Sequence, residues 1–259
     1  MSCIVAIETS TEHCSVALSL GGKLSTLRQA GVRQHAELVL PMLAKLLAEY
    51  GLARSSIDVI GYGRGPGAFT GVRLAVAVAQ GLGFALDRPT FGVSSLQACA
   101  SAAHIDAPNL VASAQAGESA GGAPQLVVLL DARMGECYVA AYQCDKTGAP
   151  FLLGEECLLT PAAFSGWLAA RDIAPKLFVG NGLAALPADF LIAHPLALYL
   201  PEIRPDAEAI AKLTEIGFAA KLAVPARLAQ PAYVRDKVAD TIIERAQKRA
   251  AQVLSAAPI

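Results

Sequence analysis

The two halves of the chain resemble each other weakly, and this internal repeat limits the folds that are possible. Residues 4–8 (IVAIE) and residues 127–131 (VVLLD) are apolar runs that end in a carboxylate, and 123 positions separate Ile4 from Val127. The same offset places Cys14 on Cys137. A repeat of α/β units at half length predicts two similar domains that face each other. Chance similarity between two apolar hairpins is the alternative.

Hydropathy patterns predict an α/β order of elements in both halves. A second match, residues 60–63 (IGYG) with residues 179–182 (VGNG), supports the repeat. Predicted strands cover residues 3–7, 14–20, 23–29, 59–62, 90–93, 125–130, 137–143 and 176–179. Predicted helices cover residues 33–50, 70–86, 161–171 and 206–222, with Ser95 as the cap of a further helix and a helical tail over residues 237–259.

Changes in composition along the chain predict its domain boundaries. Residues 105–124 are rich in Ala, Gly, Ser, Pro and Gln without periodicity, which indicates a flexible linker or surface loop. The first domain is therefore predicted over residues 1–104 and the second over residues 125–235, followed by a tail over residues 236–259.

Composition and charge exclude several classes of protein. With 54% hydrophobic and 17% charged residues, the chain is not disordered overall. A net charge of -1 is not typical of a dedicated nucleic-acid binder. The longest apolar stretch, residues 74–86, is broken by Gln80 and two glycines, and is shorter than the roughly 20 residues that span a bilayer. Six cysteines without a C-x-x-C pair indicate reduced thiols and a cytoplasmic protein.

Residues 61–73 carry five glycines between a predicted strand and a predicted helix. Helix N-terminal amides bind anions, so Gly65, Gly67 and Thr70 are weak candidates for a phosphate-binding loop, with Thr70 as the helix cap. The alternative is a tight turn whose glycines allow helix and strand to pack closely. No Gly-Lys-Ser/Thr follows, so the loop is not a P-loop.

The helix predicted over residues 70–86 is apolar nearly all round, which is typical of a helix buried on more than one side. A small-residue ridge recurs every four positions, and the helix predicted over residues 33–50 has a surplus apolar face as well. These faces predict an interface with a second protein chain, or burial inside the chain's own two-domain fold. The predicted interface residues are Leu38, Met42, Gly71, Val72, Ala75, Val76, Ala79 and Gly83.

The four histidines have no spacing that suits a metal site. His13, His35, His104 and His194 do not pair at i, i+3 or i+4, and none lies near a cysteine pair. We therefore predict no catalytic residue, no metal and no cofactor.

Five segments in the right order resemble the TsaB (YeaZ-like) family. The most specific is residues 62–73 (YGRGPGAFTGVR), and the landmarks together span positions 4 to 235. The other four are residues 7–10 (IETS), 35–41 (HAELVLP), 131–138 (DARMGECY) and 231–235 (PAYVR).

This resemblance implies the actin-like ATPase (ASKHA) architecture, with two related ribonuclease-H-like domains. It also implies a role in making threonylcarbamoyladenosine, the modified tRNA adenosine that follows the anticodon. The family pairs with the transferase TsaD, and TsaE acts on the pair. Ala68 stands where the family usually has serine, and Glu8 where aspartate is common. Both departures weaken any inherited nucleotide site.

TsaD-type subunits carry a His-x-x-x-His metal motif, which this sequence lacks. The resemblance therefore implies a non-catalytic subunit that docks on TsaD through the two apolar helices and contacts tRNA only indirectly. We expect a homodimer when the chain is alone, because an apolar face without its partner tends to pair with itself. Arg64 and Arg73, at the loop, are weak candidates to orient that contact with TsaD or an anion near it. Two alternatives stay open: an ATP-dependent small-molecule kinase of the same fold, and a glycoprotease-like peptidase that would need a metal.

Overall fold

The first half of the chain forms a five-stranded mixed sheet. The computed structural model describes residues 2–30, 34–108, 125–145, 148–171 and 175–235. The strands are β1 (Cys3–Glu8), β2 (His13–Leu20), β3 (Lys23–Ala30), β4 (Val59–Gly63) and β5 (Thr90–Val93). Their order in the sheet is β3-β2-β1-β4-β5. The first three strands are antiparallel, and β4 and β5 run parallel to β1.

The second half repeats this arrangement. Its strands are β6 (Gln125–Asp131), β7 (Cys137–Cys144), β8 (Pro150–Leu159), β9 (Leu177–Val179) and β10 (Leu198–Leu200). The order β8-β7-β6-β9-β10 and the strand directions match those of the first sheet. The predicted internal repeat and the α/β fold class are confirmed.

The register of the repeat differs from the predicted one in β1 and β6. Val5 pairs with Leu18, and Val127 pairs with Ala141. Leu18 and Ala141 are equivalent positions at the predicted offset of 123. Their strand partners, Val5 and Val127, are therefore equivalent as well, and the offset between β1 and β6 is one residue smaller than predicted. The connection between β6 and β7 is therefore one residue longer than the one between β1 and β2, which the sequence alignment did not allow for.

This one-residue shift separates two carboxylates that the alignment had treated as equivalent. Glu8 corresponds to Leu130, not to Asp131. Successive side chains of a strand point to opposite faces, so a shift of one residue reverses the environment. Glu8 is accordingly buried and Asp131 exposed.

In the described part of the chain, six helices cover the sheets. They are α1 (His35–Glu49), α2 (Phe69–Leu86), α3 (Ser95–Asp106), α4 (Phe164–Ala169), α5 (Ala188–Ala193) and α6 (Ala207–Ala219). α1 and α2 share one apolar cluster on the outer face of the first sheet. α3 and α6 are exchanged: α3 packs on the second sheet and α6 on the first. The central core between the sheets contains residues of both helices.

Most predicted elements lie within a few residues of the observed ones, but both predicted caps are wrong. Ala68 precedes α2 without a side-chain cap, and Ser94 caps α3 by accepting hydrogen bonds from the amides of Leu96 and Gln97. The sequence analysis missed β8, β10 and α5. Residues 109–124 and the predicted tail from residue 236 lie outside the described residues, and the domain boundaries remain a prediction.

Candidate functional site

The glycine-rich loop between β4 and α2 is pressed against the turn that follows β1. A Cβ atom on Gly71 would collide with the carbonyl oxygen of Thr9, and one on Gly67 would stand 2.7 Å from the Cβ of Ser10. The Ala68 amide donates to the Ser10 carbonyl (2.8 Å), and Thr9 Oγ1 donates to the Gly71 carbonyl (2.7 Å). Glycine is required here because the two backbones touch. The close-packing interpretation of the loop accounts for these contacts.

Glu8 lies beneath the same loop and is fully buried. Its Oε1 accepts a hydrogen bond from the Ser10 amide, while Oε2 has no partner among the described residues. A Cβ atom on Gly63 would collide with the carboxyl group. Burial raises the pKa of Glu8, because the apolar surroundings penalise the charged form. A buried carboxyl that is half satisfied costs stability, so Glu8 is a strained feature of the fold.

The structure does not bring the three predicted anion-binding residues together in one pocket wall. Gly65 is buried at a φ of +94°, and its carbonyl accepts from the Ser95 amide at 2.9 Å. Gly67 and Thr70 line a cleft, described next, that Gly65 does not reach. Thr70 is exposed in the first turn of α2. An anion site at these residues stays a prediction.

A cleft of about 610 Å³ opens between the two halves. One wall is formed by residues 9–12 and the first turns of α1 and α2. The other wall is formed by residues 130–134, at the end of β6, together with residues 232–235. This volume is in the range of sites that hold small molecules or side chains of a partner.

The charged residues that line the cleft are two acids and two arginines, so the lining carries no net charge. Each is in an ion pair within the described part of the chain: Glu12 with Arg204 (3.0 Å), Asp131 with Arg133 (3.1 Å) and Arg235 with Glu136 (2.7 Å). His35 Nε2 hydrogen-bonds to the Thr11 carbonyl at 3.0 Å. The cleft lining therefore has no surplus cation, among the described residues, to attract a phosphate.

The turn between β6 and β7 holds two successive non-glycine residues in the left-handed region. Arg133 has a φ of +63° and Met134 a φ of +57°, a conformation that costs roughly 1–2 kcal/mol per residue. The Arg133 amide donates to Asp131 Oδ1 (2.8 Å), and Arg235 donates to the Ala132 carbonyl (3.0 Å). These bonds hold Met134 at the cleft with 73% of its surface exposed. Sequence analysis predicted the hairpin between these two strands but not the left-handed conformation of its turn, because only Gly135 signals it.

The structure corrects the predicted interface on α2. Of the eight predicted residues, only Leu38 and Gly71 are partly exposed, and the other six are buried inside the chain: Met42, Val72, Ala75, Val76, Ala79 and Gly83. The physical reason is that α2 packs on strands β4 and β1 of its own sheet, while a short 3-10 helix, Ala226–Leu228, packs on the same helix at Gly83. The sequence pattern could not show that a distant segment covers this ridge.

A different face of the same two helices is exposed. On α2 it begins with Ala77 and Gly81, and a Cβ atom on Gly81 would have nothing within 4 Å outside the helix backbone. Phe84 on this face is 66% exposed and Leu40 on α1 is 50% exposed. We call this surface the exposed helix face; it consists of Ala36, Leu40, Ala44 and Ala48 on α1 and Ala77, Gly81, Phe84 and Ala85 on α2. None of these eight residues is charged.

Two further findings concern metals and membranes. Within the ranges that the structure describes, no group of three or more His, Cys, Asp or Glu side chains could hold a metal ion. Helix α2 has the length and composition of a membrane span, with a mean hydropathy of 1.5. This is weak support for a span, since core helices pass the same test, and α2 packs its Ala75–Ala79 side on the first sheet.

Two sheets of identical strand order, exchanged helices and a cleft between the halves define the class of this protein. It is an α/β protein of actin-like ATPase architecture, built from two related ribonuclease-H-like domains, as predicted. Class alone does not assign an activity, because this architecture serves unrelated chemistries.

Comparison with known proteins narrows the class to a family. Residues 26–242 match the family profile described as TsaD, tRNA N6-adenosine threonylcarbamoyltransferase. The chain is 34% identical to the Escherichia coli (strain K12) tRNA threonylcarbamoyladenosine biosynthesis protein TsaB, over 91% of this chain and 96% of that one. The TsaB protein of Haemophilus influenzae is 30% identical, over 91% and 94% of the two chains.

A solved structure agrees with these relatives. YeaZ from Pseudomonas aeruginosa has 34% identity and a TM-score of 0.73, covering 90% of this chain and 100% of that one. The chain belongs to the TsaB family, within the wider group that the TsaD profile describes. The resemblance drawn from the sequence motifs is confirmed.

Proposed function

We propose that the chain is a non-catalytic subunit in the biosynthesis of tRNA threonylcarbamoyladenosine. It binds the transferase TsaD and supports transfer of the threonylcarbamoyl group to the tRNA adenosine that follows the anticodon. In this proposal TsaE joins a larger cytoplasmic complex, tRNA contacts this chain only indirectly, and the chain pairs with itself when TsaD is missing.

The observation that carries the proposal is the exposed helix face. The eight residues of this face are small or apolar, and the exposed charged residues of the two helices, Glu37, Lys45, Glu49 and Arg73, lie outside it. Leu40 and Phe84 are large apolar side chains in water, and Ala77 and Gly81 leave room for a partner helix to approach closely. Two helices from each of two related chains would form a four-helix bundle. The match to the TsaD profile makes such a related partner reasonable.

The sequence supports a non-catalytic role. TsaD-type subunits use a His-x-x-x-His metal motif, and no such motif occurs in the 259 residues. The carboxyl at the end of β1, Glu8, is buried beneath the glycine-rich loop and does not line the cleft, so it is not placed to act on a bound ligand. We infer that the transfer chemistry belongs to the partner.

Co-purification with TsaD from the same organism tests this function. Ala77→Glu and Phe84→Glu place a charge on the exposed helix face, and both are expected to abolish the complex and the tRNA modification that depends on it. Ile192→Glu is the matched control, because Ile192 is 77% exposed on α5 in the second half. Unchanged binding of both face variants, or tRNA modification by this chain alone, would overturn the proposal.

The cleft is the observation that favours a second candidate, an ATP-dependent small-molecule kinase. Titration calorimetry of the isolated chain with ATP and Mg²⁺ separates the two. Tight binding with phosphate transfer to a substrate would support the kinase. We expect neither, because the charges of the cleft lining cancel and are already paired.

A further inference from the structure

We propose that the mouth of the cleft is a second docking site, which receives an aromatic or long aliphatic side chain from the protein bound on the exposed helix face. This inference rests on the proposed function, since it assigns a second contact to the same partner. We call the site the cleft rim; it consists of Phe69, Met134 and Tyr233.

The rim exposes three large apolar or aromatic side chains around one opening. Phe69 is 44% exposed, Tyr233 51% and Met134 73%, and all three line the cleft. Aromatic residues and methionine are enriched at protein interfaces, and Met adapts its shape to the group that it meets. An exposed cluster of this composition is typical of a contact with an apolar group.

The chain holds both sides of the rim in place. The Arg73 guanidinium lies 3.7 Å above the centre of the Phe69 ring, and its Nε donates to the Tyr233 hydroxyl at 3.0 Å. The two rings are 6.2 Å apart. On the opposite side Arg235 contacts the Met134 sulfur at 3.6 Å. Side chains that are fixed before binding lose little entropy when a partner arrives.

The electrostatics of the cleft favour an apolar occupant over an anion. Its two arginines, Arg133 and Arg235, are balanced by two acids, and each charged group already has an ion-pair partner among the described residues. A nucleotide or phosphate would have to displace these pairs. An apolar side chain would instead cover Met134 and Tyr233 and leave the pairs intact.

The rim is continuous with the exposed helix face. Phe69 is the first residue of α2, and the face continues along the same helix from Ala77. The first turn of α1 contributes Ala36 to both the face and the cleft lining. Between Phe69 and Ala77 the exposed side chains on α2 are Thr70 and Arg73, and Arg73 contacts both aromatic rings of the rim. A protein that covers the two helices therefore also lies beside the rim, which is why the occupant is assigned to that partner.

The test is the Kd for TsaD of four full-length variants. Met134→Glu is expected to weaken binding at least tenfold, while Met134→Leu stays within twofold because it keeps the apolar contact. Ala77→Glu tests the exposed helix face, and Ile192→Glu is the control. A photo-crosslinking amino acid at position 134 is expected to link to TsaD.

The outcomes separate the two proposals. If Ala77→Glu loses binding but Met134→Glu does not, the rim is no docking site and the proposed function stands. If Ala77→Glu keeps wild-type affinity, the proposed function fails at its interface. Calorimetry with ADP and with inorganic phosphate is the third arm: binding that Met134→Glu removes would make the cleft a small-molecule site and overturn the inference.

Discussion

Gly83 of α2 lies so close to Ala226 that a Cβ atom on Gly83 would stand 2.6 Å from the Cβ of Ala226. The carbonyl oxygen of Arg88 would be 2.9 Å from the same atom. Two positions earlier, Gly81 has open space on its outer side. Two glycines of one helix thus face opposite environments, the chain's own core and solvent.

This difference predicts opposite effects of the same substitution. Gly81→Ala should stabilise the protein by up to about 1 kcal/mol, because alanine is the better helix former and the site is open. Gly83→Ala should destabilise it by about 1–3 kcal/mol, because the added methyl group overpacks the contact with Ala226. Urea unfolding of both variants measures the two free energies. Equal shifts would contradict the assigned orientation of α2.

Substitution of the buried carboxyl should change the pH dependence of stability. The pKa of Glu8 is raised by burial, so between the unfolded pKa of about 4.3 and the higher folded pKa the native state binds more protons than the unfolded state. Stability therefore falls as pH rises through this window. Glu8→Gln removes that loss, and we expect a gain of about 1–3 kcal/mol at pH 7 that disappears below pH 4.

The pKa of Glu12 is shifted in the opposite direction to that of Glu8, so Glu12→Gln serves as the control. Burial raises its pKa, but the hydrogen bond from its own amide and the Arg204 guanidinium outweigh burial, and the net pKa is lowered. Its stabilisation is present above the unfolded pKa and is lost as pH falls through the folded one. Glu12→Gln should therefore destabilise the protein at neutral pH and have little effect in acid. Parallel urea titrations between about pH 3 and about pH 8, which bracket the pKa of a glutamate in an unfolded chain, compare the two variants.

Adjacent alanines of α2 should separate folding from binding. Ala75 is fully buried, so Ala75→Glu places a carboxylate in the core and should cost more than about 3 kcal/mol, or prevent folding. Ala77 is exposed, so Ala77→Glu should keep the melting temperature within a few degrees and lose TsaD. Thermal unfolding and pull-down together test this pair. An Ala75→Glu variant as stable as the wild-type protein would contradict the observed packing of α2.

The exchanged helix α6 depends on the residue that precedes it. Asp206 accepts a hydrogen bond from the Glu208 amide as the N-cap and pairs with Arg28 of β3 at 2.8 Å. Asp206→Ala should cost about 1–2 kcal/mol, mostly from the cap, because Arg28 is half exposed. Glu215→Ala, on the exposed side of the same helix, should change stability by less than about 0.5 kcal/mol. Denaturant midpoints measure both.

Several features were predictable because they are local. A continuous apolar run predicted β1, alternating apolar residues predicted β2, and Gly21-Gly22 predicted the turn between β2 and β3. The repeat predicted two similar sheets, and the motif at residues 62–73 identified the family. Such patterns reflect the spacing of apolar side chains along a strand or helix and the residue types that turns prefer, and both can be read directly from the sequence.

The strand register of the second sheet and the orientation of α2 depend on contacts between distant segments, so neither could be predicted from local sequence patterns. One extra residue between β6 and β7 moved Asp131 to the opposite face from Glu8, and hydropathy does not show where such a residue is inserted. Met134 in the left-handed region has no signal of its own, because neighbouring hydrogen bonds impose that conformation.

The sequence by itself determined the fold class, the family and the presence of two apolar helices. Only the tertiary structure decided which side of α2 is free. That helix has two ridges of small residues, one through Ala75 and Ala79 and one through Ala77 and Gly81, and composition does not distinguish them. The first sheet and, at Gly83, the segment around Ala226 pack on the side of the first ridge and leave the second ridge in water. Packing between distant segments determines which ridge is exposed, and the order of apolar and polar residues along the chain does not show which segments pack together.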